Sequence, residues 1–441
     1  MKAIIVPGVT DLNKGDQALV WESYRLIKDL KLFSDIHILE GGDTKEEKDL
    51  LCSQTRERGY NLVKGILKHP RRGQHASQDH VKESKMSYLR LITNGVLDFT
   101  TNSSVIIFSK NNFLSSVLFS NNLLEKIQIF RDCDVVFVKG GGFLHAHGEF
   151  FSPYLIWYFL FYLRLATRLG KKVVVLPNSF GPFDGLTVQE QIKSVLTDCD
   201  LIYAREKVSA DAISKVIDKK INVRPDLGFY LRPSHDTDKI NSIMNKYNLT
   251  NSDKIVGITV RPWRFPGHKN TEELYKRYIE SIAEFASYVT KKGYKAVVCN
   301  QSIGPNSHED DRNAIRDLLV ISNDIIWINE NLHCDVLKAL YSRFFCLLGT
   351  RFHSVIFSLT SLIPCIAIGY GGNKAKGIMT DFGLNEFVIP IELVKEDNLI
   401  YLFEEIERNY EVITSKLLEG VNVIESERNL MIDEIRKAIK Q

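Results

Sequence analysis

Several features that mark common protein classes are missing from this sequence of 441 residues. Its seven cysteines form no Cys-x-x-Cys pair, which argues against a zinc site and favours reduced core cysteines in a cytoplasmic protein. A net charge of +3 is too small to indicate a nucleic-acid-binding protein. The N-terminal apolar run is very short and soon turns polar, so we expect a first strand there and not a signal peptide.

Long apolar runs are absent as well. The most apolar window, YLIWYFLFYLRLA at residues 154–166, is shorter than the ~20 residues that a membrane-spanning helix needs, and we predict a buried helix there. The hydrophobic content of 44% and the charged content of 25% are those of a globular protein. A chain of this length predicts two domains of about 200 residues each.

Short runs rich in Val, Ile and Leu alternate with helical patterns along most of the chain. Because these runs are apolar throughout, we expect strands that are buried on both faces of a parallel sheet. The predicted strands are 3–6, 134–138, 172–176, 201–204, 255–260, 296–300, 345–348 and 365–368. The repeated strand–helix order predicts an α/β fold with two Rossmann-like domains facing a cleft, which is a GT-B-like architecture.

The strand–helix rhythm breaks near residue 235, and this break sets the predicted domain boundaries. We assign residues 1–235 to an N-terminal Rossmann-like domain and residues 236–395 to a C-terminal one. The charged segment 396–441 is predicted to form helices that pack back on the domains.

One region, about 44–130, loses the rhythm and is predicted to be a basic helical insertion. Residues 52–92 hold nine Lys or Arg against three Asp or Glu. Two interpretations stay open: a solvated insertion, or a basic patch that meets an anionic lipid surface or a diphosphate-linked acceptor. The segment NNFLSSVLFSNNLLEKIQIF that follows has amphipathic helical character and suits either a core helix or an interface helix.

Candidate ligand-binding residues follow the predicted strands, because ligands of doubly wound domains collect at the carboxyl ends of strands. After the first strand, Asn13 and Gly15 suit a turn and Asp16 suits the N-cap of the next helix, where backbone N–H groups bind an anion or a sugar hydroxyl. A plain βα turn is the alternative. The other candidates in this domain are Gly141, Gly142, His145, Asn178, Ser179, Arg205 and Asp226. For Arg205 a purely structural ion pair is the alternative.

The strongest constellation lies in the second domain, at Arg351-Phe352-His353. We place Arg351 and His353 in the first turn of a helix, whose positive end favours an anion. Lys374 follows the next strand end, and Arg261 follows the first strand of this domain. Arg and Lys bind phosphate and carboxylate, while His transfers a proton near neutral pH. With no DxD-like motif at a predicted strand end, we expect no metal.

Eight motifs occur in one order between residue 1 and about residue 385, and in them the sequence resembles the polysaccharide pyruvyl transferase family. They are NKGDQAL, VKGGGFL, PNSFGPF, AREKVSADAI, RPDLGF, TVRP, TRFHSVIFSLTSLIP and IAIGYGGNKAKGIM. The resemblance implies phosphoenolpyruvate as donor and co-substrate, with no cofactor. It implies as acceptor a sugar diol of a capsule or exopolysaccharide precursor, and leaves open whether that precursor is lipid-diphosphate-linked.

The resemblance also implies roles for individual residues. Arg351 and the backbone near Phe352 would bind the donor, with Arg205, Lys374 and Arg261 as further anion ligands. His353 would protonate the enol, two sugar hydroxyls would close a cyclic ketal, and phosphate would leave. Asp16 and Asp226 are guesses for the base. The acceptor is expected on the N-terminal domain and the donor on the C-terminal one.

Two rival functions fit the same sequence. One is a GT-B glycosyltransferase that uses a nucleotide sugar, and the other is a non-catalytic glycan- or phosphate-binding protein on the same fold. The expected location is the cytoplasm, at the inner face of the membrane if the basic insertion meets lipid.

Overall fold

The structure, a computed structural model, describes residues 1–68, 85–305, 307–371 and 374–441; of residues 85–92 and 374 it describes the backbone alone. Contacts divide the chain into two units. The first holds Met1–Asp11, Leu19–Leu227 and Ser426–Gln441, and the second holds Leu12–Ala18 and Gly228–Glu425. The contact-based division falls between Leu227 and Gly228, eight residues before the boundary predicted from the sequence, 235/236. It also groups Leu12–Ala18 with the second unit.

The first unit contains an eight-stranded sheet in which every described pairing is parallel. Its strands are β1 (Lys2–Val6), β2 (Asp35–Leu39), β3 (Asn61–Val63), β4 (Val135–Val138), β5 (Gly141–His147), β6 (Lys172–Asp184), β7 (Leu201–Ala204) and β8 (Asn222–Val223). The order is β3-β2-β1-β4-β6-β7-β8, with β5 paired to β6. The side chains of β4 are fully buried, as a strand between two helix layers requires.

Helices connect most successive strands of this parallel sheet, as in a doubly wound fold. They are α1 (Lys14–Asp29), α2 (Lys45–Glu57), α3 (Lys85–Phe108), α4 (Asn112–Leu118), α5 (Asn121–Asp132), α6 (Ser152–Arg168), α7 (Val188–Leu196) and α8 (Lys207–Ser214). The predicted buried helix at 154–166 is confirmed as part of α6, where Ile156, Leu160 and Phe161 are fully buried. None of the described helices is long and apolar enough to cross a membrane.

The predicted insertion at 44–130 is wrong in its first part. Thr44 and Glu47 form a capping box that starts α2, and β3 then pairs with β2 in parallel, so 44–63 is an ordinary helix–strand repeat of the sheet. Sequence reasoning missed β2 because DIHIL alternates in polarity, and missed β3 because it has three residues. Helices α3, α4 and α5 form the helical remainder. The stretch HPRRGQHASQDH, at 69–80, lies outside the described residues.

The second unit contains a six-stranded parallel sheet. Its strands are β9 (Ile255–Thr259), β10 (Lys295–Cys299), β11 (Ile325–Ile328), β12 (Cys346–Gly349), β13 (Cys365–Gly369) and β14 (Val388–Pro390). The helices of this part are α9 (Thr237–Lys246), α10 (Thr271–Lys291), α11 (Asp311–Ile321), α12 (Cys334–Tyr341), α13 (Phe352–Leu359), α14 (Lys374–Asp381), α15 (Glu396–Arg408) and α16 (Tyr410–Lys440). Short 3₁₀ turns occur at Leu227–Tyr230, Asn385–Phe387 and Ile391–Leu393.

The strand order β11-β10-β9-β12-β13-β14 reverses direction between β9 and β12. This is the Rossmann order, and the reversal makes the carboxyl ends of β9 and β12 the expected ligand site of this sheet. The first sheet has the corresponding reversal between β1 and β4. The predicted α/β class with two Rossmann-like domains is therefore confirmed, while the cleft between them stays a prediction.

The predicted C-terminal helices are present as α15 and α16. Helix α15 packs on α10, where Tyr288 and Lys292 bond Glu404 and Glu407. Within the first unit, Glu434 at the end of α16 accepts a hydrogen bond from Tyr203 at 2.9 Å. All seven cysteines are buried and free, as predicted, and burial raises the pKa of the Cys52 thiol to about 12.

Candidate active site

Two arginines stand side by side at the reversal point of the second sheet. Strands β9 and β12 are paired so that Thr259 lies opposite Gly349. Arg261 and Arg351 follow these two residues at matching positions, so the register brings their backbones to the same edge of the sheet. Thr350 is anchored between them, since its N–H donates to the Thr259 carbonyl at 3.1 Å and its hydroxyl bonds Tyr278 at 2.9 Å.

Arg351 is buried and held by a carboxylate. Its Nε donates to Asp311 Oδ1 at 2.7 Å, and its Nη2 donates to the Glu309 carbonyl oxygen at 2.7 Å. None of the described residues accepts a hydrogen bond from Nη1. The prediction that Arg351 lies in the first turn of a helix is wrong. Arg351 is the N-cap residue of α13, because the helix begins at Phe352.

Asp311 fixes the loop between β10 and α11 as well as the arginine. Its carboxylate accepts hydrogen bonds from the backbone N–H groups of Ser302 at 2.8 Å and Gln301 at 3.1 Å. The side chain is fully buried, and burial raises its pKa although Arg351 opposes that shift. Sequence reasoning missed this residue.

His353 lies in the first turn of α13 and packs against the start of α1. Gly15 makes this possible: a Cβ at position 15 would overlap the imidazole ring, with Cγ of His353 only 2.5 Å away. Asn13 Oδ1 accepts hydrogen bonds from the N–H groups of Gly15 at 2.9 Å and Asp16 at 3.4 Å. Asn13 therefore caps α1, and the prediction that Asp16 does so is wrong.

A second acidic residue that sequence reasoning missed, Glu309, joins this cluster. Burial raises the pKa of its carboxyl group; Arg351 and Arg261 lower it, and the carboxylates of Asp16 and Asp311 raise it further. These influences place Glu309 among both arginines and Asp16. The only signal in the sequence was the acidic run Glu309-Asp310-Asp311 soon after a predicted strand, which is easily taken for a solvated loop.

Arg261 packs against two aromatic rings that also contact each other. Its guanidinium carbon lies 4.3 Å from the Tyr370 ring centroid and 4.8 Å from that of Trp263. Buried donors of this unit that find no acceptor among the described residues include Arg261 Nε, Trp263 Nε1 and Gln301 Nε2. Buried donors without acceptors are rare and costly, so they indicate a ligand rich in oxygen atoms.

Other predicted residues come together in the first unit. Arg205 donates to Asp226 Oδ2 and to Ser179 Oγ, both at 2.7 Å, and Ser179 in turn donates to Glu206 at 2.5 Å. Asn178 lies beside them, since its carbonyl accepts from the Arg205 N–H at 3.0 Å. Arg205 also pairs with Glu206 at 3.2 Å, which is the structural role given as its alternative, and its role in donor binding stays a prediction.

The remaining candidates of the first unit line the start of β5. Gly141 opens this strand with a φ of +154°, a conformation that L-residues rarely adopt. The ring of His145 is exposed, and its Nδ1 lies 2.9 Å from the carbonyl oxygen of Gly142. In the second unit, the backbone of Lys374 begins α14, but its side chain lies outside the described residues.

Comparisons with known proteins relate most of this chain to one family. A family model for polysaccharide pyruvyl transferase matches residues 13–372, which is most of the chain. The chain belongs to the polysaccharide pyruvyl transferase family. The amylovoran biosynthesis protein AmsJ of Erwinia amylovora is 24% identical over 308 residues, covering 67% of this chain and 72% of AmsJ.

Solved structures with similar folds share little sequence with this family member. The UDP-GlcNAc 2-epimerase of Methanocaldococcus jannaschii has a TM-score of 0.53 at 13% identity and covers 92% of each chain. A glycosyltransferase from Rickettsia africae has a TM-score of 0.52 at 13% identity, covering 100% of this chain and 98% of its own. At such identities the likeness shows a GT-B-like fold and nothing about substrate.

The Arg351–Asp311 pair predicts a stability difference between two neighbouring aspartates. In Asp311→Asn the buried guanidinium loses its counter-charge, which should cost about 3–5 kcal/mol of unfolding free energy. Asp310→Asn is the matched control: Asp310 pairs with Arg312 nearer the surface and caps α11, a position that Asn also fills, so about 1 kcal/mol or less is expected. Urea denaturation measures both, and equal losses would contradict the role given to Asp311.

The contact between Gly15 and His353 predicts a coupled pair. Gly15→Ala should lower the unfolding free energy by about 1–3 kcal/mol, because the new methyl group overlaps the imidazole. In a His353→Ala background the same substitution should cost nearly nothing, since the ring is gone. Gly377→Ala, whose new Cβ would meet no atom within 4 Å, controls for the effect of glycine replacement itself. An additive double variant would refute the contact.

Proposed function

We propose that this protein transfers the enolpyruvyl group of phosphoenolpyruvate to two hydroxyls of one sugar in a polysaccharide precursor, forming a cyclic pyruvate ketal and releasing phosphate. The observation that carries the proposal is the set of cationic and unpartnered N–H groups around His353 in the second unit. Membership of the polysaccharide pyruvyl transferase family supports the reaction class.

Donor binding is assigned to the two arginines and the start of α13. Phosphoenolpyruvate presents a carboxylate and a phosphate on a small enol, and each anion calls for charged donors. Arg351 offers Nη1, since Asp311 and the Glu309 carbonyl occupy its other side. Arg261 offers Nε, which is buried beside the Trp263 and Tyr370 rings. The positive end of α13, at Phe352, adds to both. Lys374 and Arg205 stay predicted further ligands.

His353 is the proposed acid. In its protonated form it would donate a proton to the methylene carbon of the enol, which leaves a cationic centre at the carbon that bears the phosphate oxygen. Gly15 lets the ring approach the start of α1, and Phe352 and Phe357 flank it with ring centroids 5.2 and 6.3 Å away. This packing supports a fixed ring position, which proton transfer to carbon requires.

Glu309 is the proposed base, in preference to the guesses Asp16 and Asp226. Asp226 is 2% exposed and bound to Arg205, so it is poorly suited to accept a further proton. The pKa of Glu309 is raised by burial, which makes its carboxylate more basic. It would take the proton of the first sugar hydroxyl as that oxygen attacks the cationic carbon.

The remaining steps balance the reaction. The first attack gives a tetrahedral carbon that holds methyl, carboxylate, phosphate and sugar oxygens. The bond to the phosphate oxygen then breaks, and the second hydroxyl forms the new C–O bond that closes the ring while losing its proton. Protons are taken from two hydroxyls, one goes to the methylene carbon, and the other leaves with phosphate.

His353→Ala tests the acid role. Phosphate release from phosphoenolpyruvate in the presence of acceptor should fall by about 10²–10⁴-fold, which is the usual contribution of general acid catalysis. His235→Ala, at an exposed histidine, is the control and should keep wild-type rates. Thermal-shift titrations with phosphoenolpyruvate and with nucleotide sugars run alongside. Wild-type phosphate release by His353→Ala, or stabilisation by nucleotide sugars alone, would reject the proposal.

The pH dependence of the reaction tests Glu309. Because a base must be deprotonated, kcat/KM for the acceptor should fall as the pH drops through the raised pKa of Glu309. In Glu309→Gln this fall at low pH (the acidic limb of the profile) should disappear, and the rate should be about 10²–10⁴-fold lower. Asp16→Asn is the comparison, since it removes the neighbouring carboxylate but should keep the limb. If Asp16→Asn loses the limb and Glu309→Gln keeps it, Asp16 is the base.

A further inference from the structure

Helix α3 of the first unit carries apolar residues on both its inner and its outer face. The face turned into the protein holds the core residue Val105, and beside it the polar residues Asp98 and Asn102, which are 9% and 6% exposed. The face turned outward carries Val96, Leu97 and Phe99, all exposed. A surface helix of a water-soluble domain has its apolar stripe on the core and polar residues on its outer face. The outer face of α3 therefore suits an apolar medium.

Helix α4 continues the same surface. Phe113 is 74% exposed and Val117 is 67% exposed, with Leu114 and Leu118 exposed beside them, whereas Ser115 is fully buried. Exposed large apolar residues are common singly, but a run along two consecutive helices marks an interaction site. We call this surface, formed by Val96, Leu97, Phe99, Ile107, Phe113, Leu114, Val117 and Leu118, the apolar face.

The apolar face rests on a firm framework. Arg131 of α5 donates to the Ser109 carbonyl at 2.7 Å and to Ser115 Oγ at 3.0 Å, which fixes the junction of α3 and α4. The Phe99 ring lies 4.8 Å from the Trp157 ring of α6, centroid to centroid. The outward position of the apolar side chains is therefore set by packing and hydrogen bonds.

Hydroxyl groups near the apolar face bond to their own helices. Thr100 Oγ1 donates to the Val96 carbonyl at 2.8 Å, and Ser116 Oγ donates to the Phe113 carbonyl at 2.8 Å. Ser104 likewise donates to the Thr101 carbonyl at 2.6 Å. Such internal bonds let a polar side chain enter hydrocarbon without losing a hydrogen-bond partner. These hydroxyls are therefore compatible with an apolar medium.

The unit that carries the apolar face also holds several lysines. Lys126 of α5 has its pKa lowered by burial and then by the charges of Lys48, Lys68 and Lys64; Lys48 is paired with Glu40 at 2.7 Å, whereas Lys64 and Lys68 are exposed. Lys110, between α3 and α4, is exposed. From residue 93 to residue 124 the sequence has one acidic residue, Asp98, and that side chain is buried, while Glu125 and Asp132 of α5 are exposed. The exposed lysines Lys64, Lys68 and Lys110 are complementary to anionic headgroups.

We propose that the apolar face of α3 and α4 docks on an anionic lipid bilayer, with its side chains in the headgroup–acyl boundary and the neighbouring lysines on the headgroups. Apolar insertion and electrostatic attraction together are the two signals that hold peripheral proteins on membranes. This inference goes beyond the proposed function and does not depend on it. The sequence left open whether the segment NNFLSSVLFSNNLLEKIQIF forms a core helix or an interface helix, and the proposal chooses the interface helix.

Vesicle flotation of the full chain tests the proposal. The wild type should bind vesicles of phosphatidylcholine with phosphatidylglycerol and bind phosphatidylcholine alone far less. Phe113→Ser/Val117→Ser should weaken binding to the anionic vesicles about tenfold or more, because it removes two inserting side chains. Val320→Ser/Leu393→Ser, which removes two exposed apolar side chains of the second unit, should bind as wild type.

The charge contribution has its own pair of variants. Lys64→Glu/Lys68→Glu should weaken binding to anionic vesicles by about fivefold per lysine or more, while Lys239→Glu/Lys276→Glu, at exposed lysines of the second unit, should not. Phe113→Trp adds a direct readout, since its fluorescence should shift to the blue on anionic vesicles. Unchanged melting temperatures, expected at exposed positions, show that all variants fold.

Three results would overturn the proposal. The first is a wild type that stays unbound at every phosphatidylglycerol content. The second is binding that Phe113→Ser/Val117→Ser leaves unchanged. The third is a concentration-dependent dimer, seen by sedimentation velocity, that this variant dissociates while vesicles bind neither protein, which would make the apolar face a contact between two copies of the chain.

Discussion

The buried ion pair of Arg351 and Asp311 is the interaction on which the candidate site depends. Asp311 binds the backbone of Gln301 and Ser302, and Gln301 in turn accepts a hydrogen bond from the Lys14 N–H at 3.0 Å. One carboxylate thus ties the corner between β12 and α13 to the loop after β10 and to the first turn of α1. A buried pair contributes little net stability, because desolvation offsets attraction, but removing one partner is costly. Its value here lies in fixing where Arg351 and His353 stand.

Much of the fold could be predicted from the sequence because the central strands are buried on both faces. Strands β1, β4, β9 and β12 are continuous apolar runs, and the residues after them, including Arg261 and Arg351, follow from the rule for strand ends. What could not be predicted is the acidic half of the site. Glu309 and Asp311 lie in and just after a polar loop, and their partners come from distant parts of the chain. No periodicity marks a carboxylate that tertiary contacts have buried.

The errors in the first unit have a similar physical origin. Strand β3 is short and follows a charged helix. Its extended conformation depends on pairing with β2 more than on the preferences of its own three residues. Asp16 has the side chain of a good N-cap, but α1 already begins at Lys14, and Asn13 accepts from the N–H groups of Gly15 and Asp16. In α3 the apolar residues have helical spacing whichever way they face, and only the packed structure shows that Asp98 points inward.

The mixture of charges around His353 bears on the choice among functions. A site that only bound a nucleotide diphosphate would need cations and positive helix ends, and carboxylates there would oppose the ligand. Pyruvate ketal formation has a different requirement, since one carbon gains a proton while two hydroxyls lose theirs. A histidine and a carboxylate within one cluster can supply and remove protons in the same turnover. Arg351 can stand beside both because Asp311 compensates its charge on the buried side. The carboxylates missed by sequence reasoning are thus the feature that favours proton-transfer chemistry over simple anion binding.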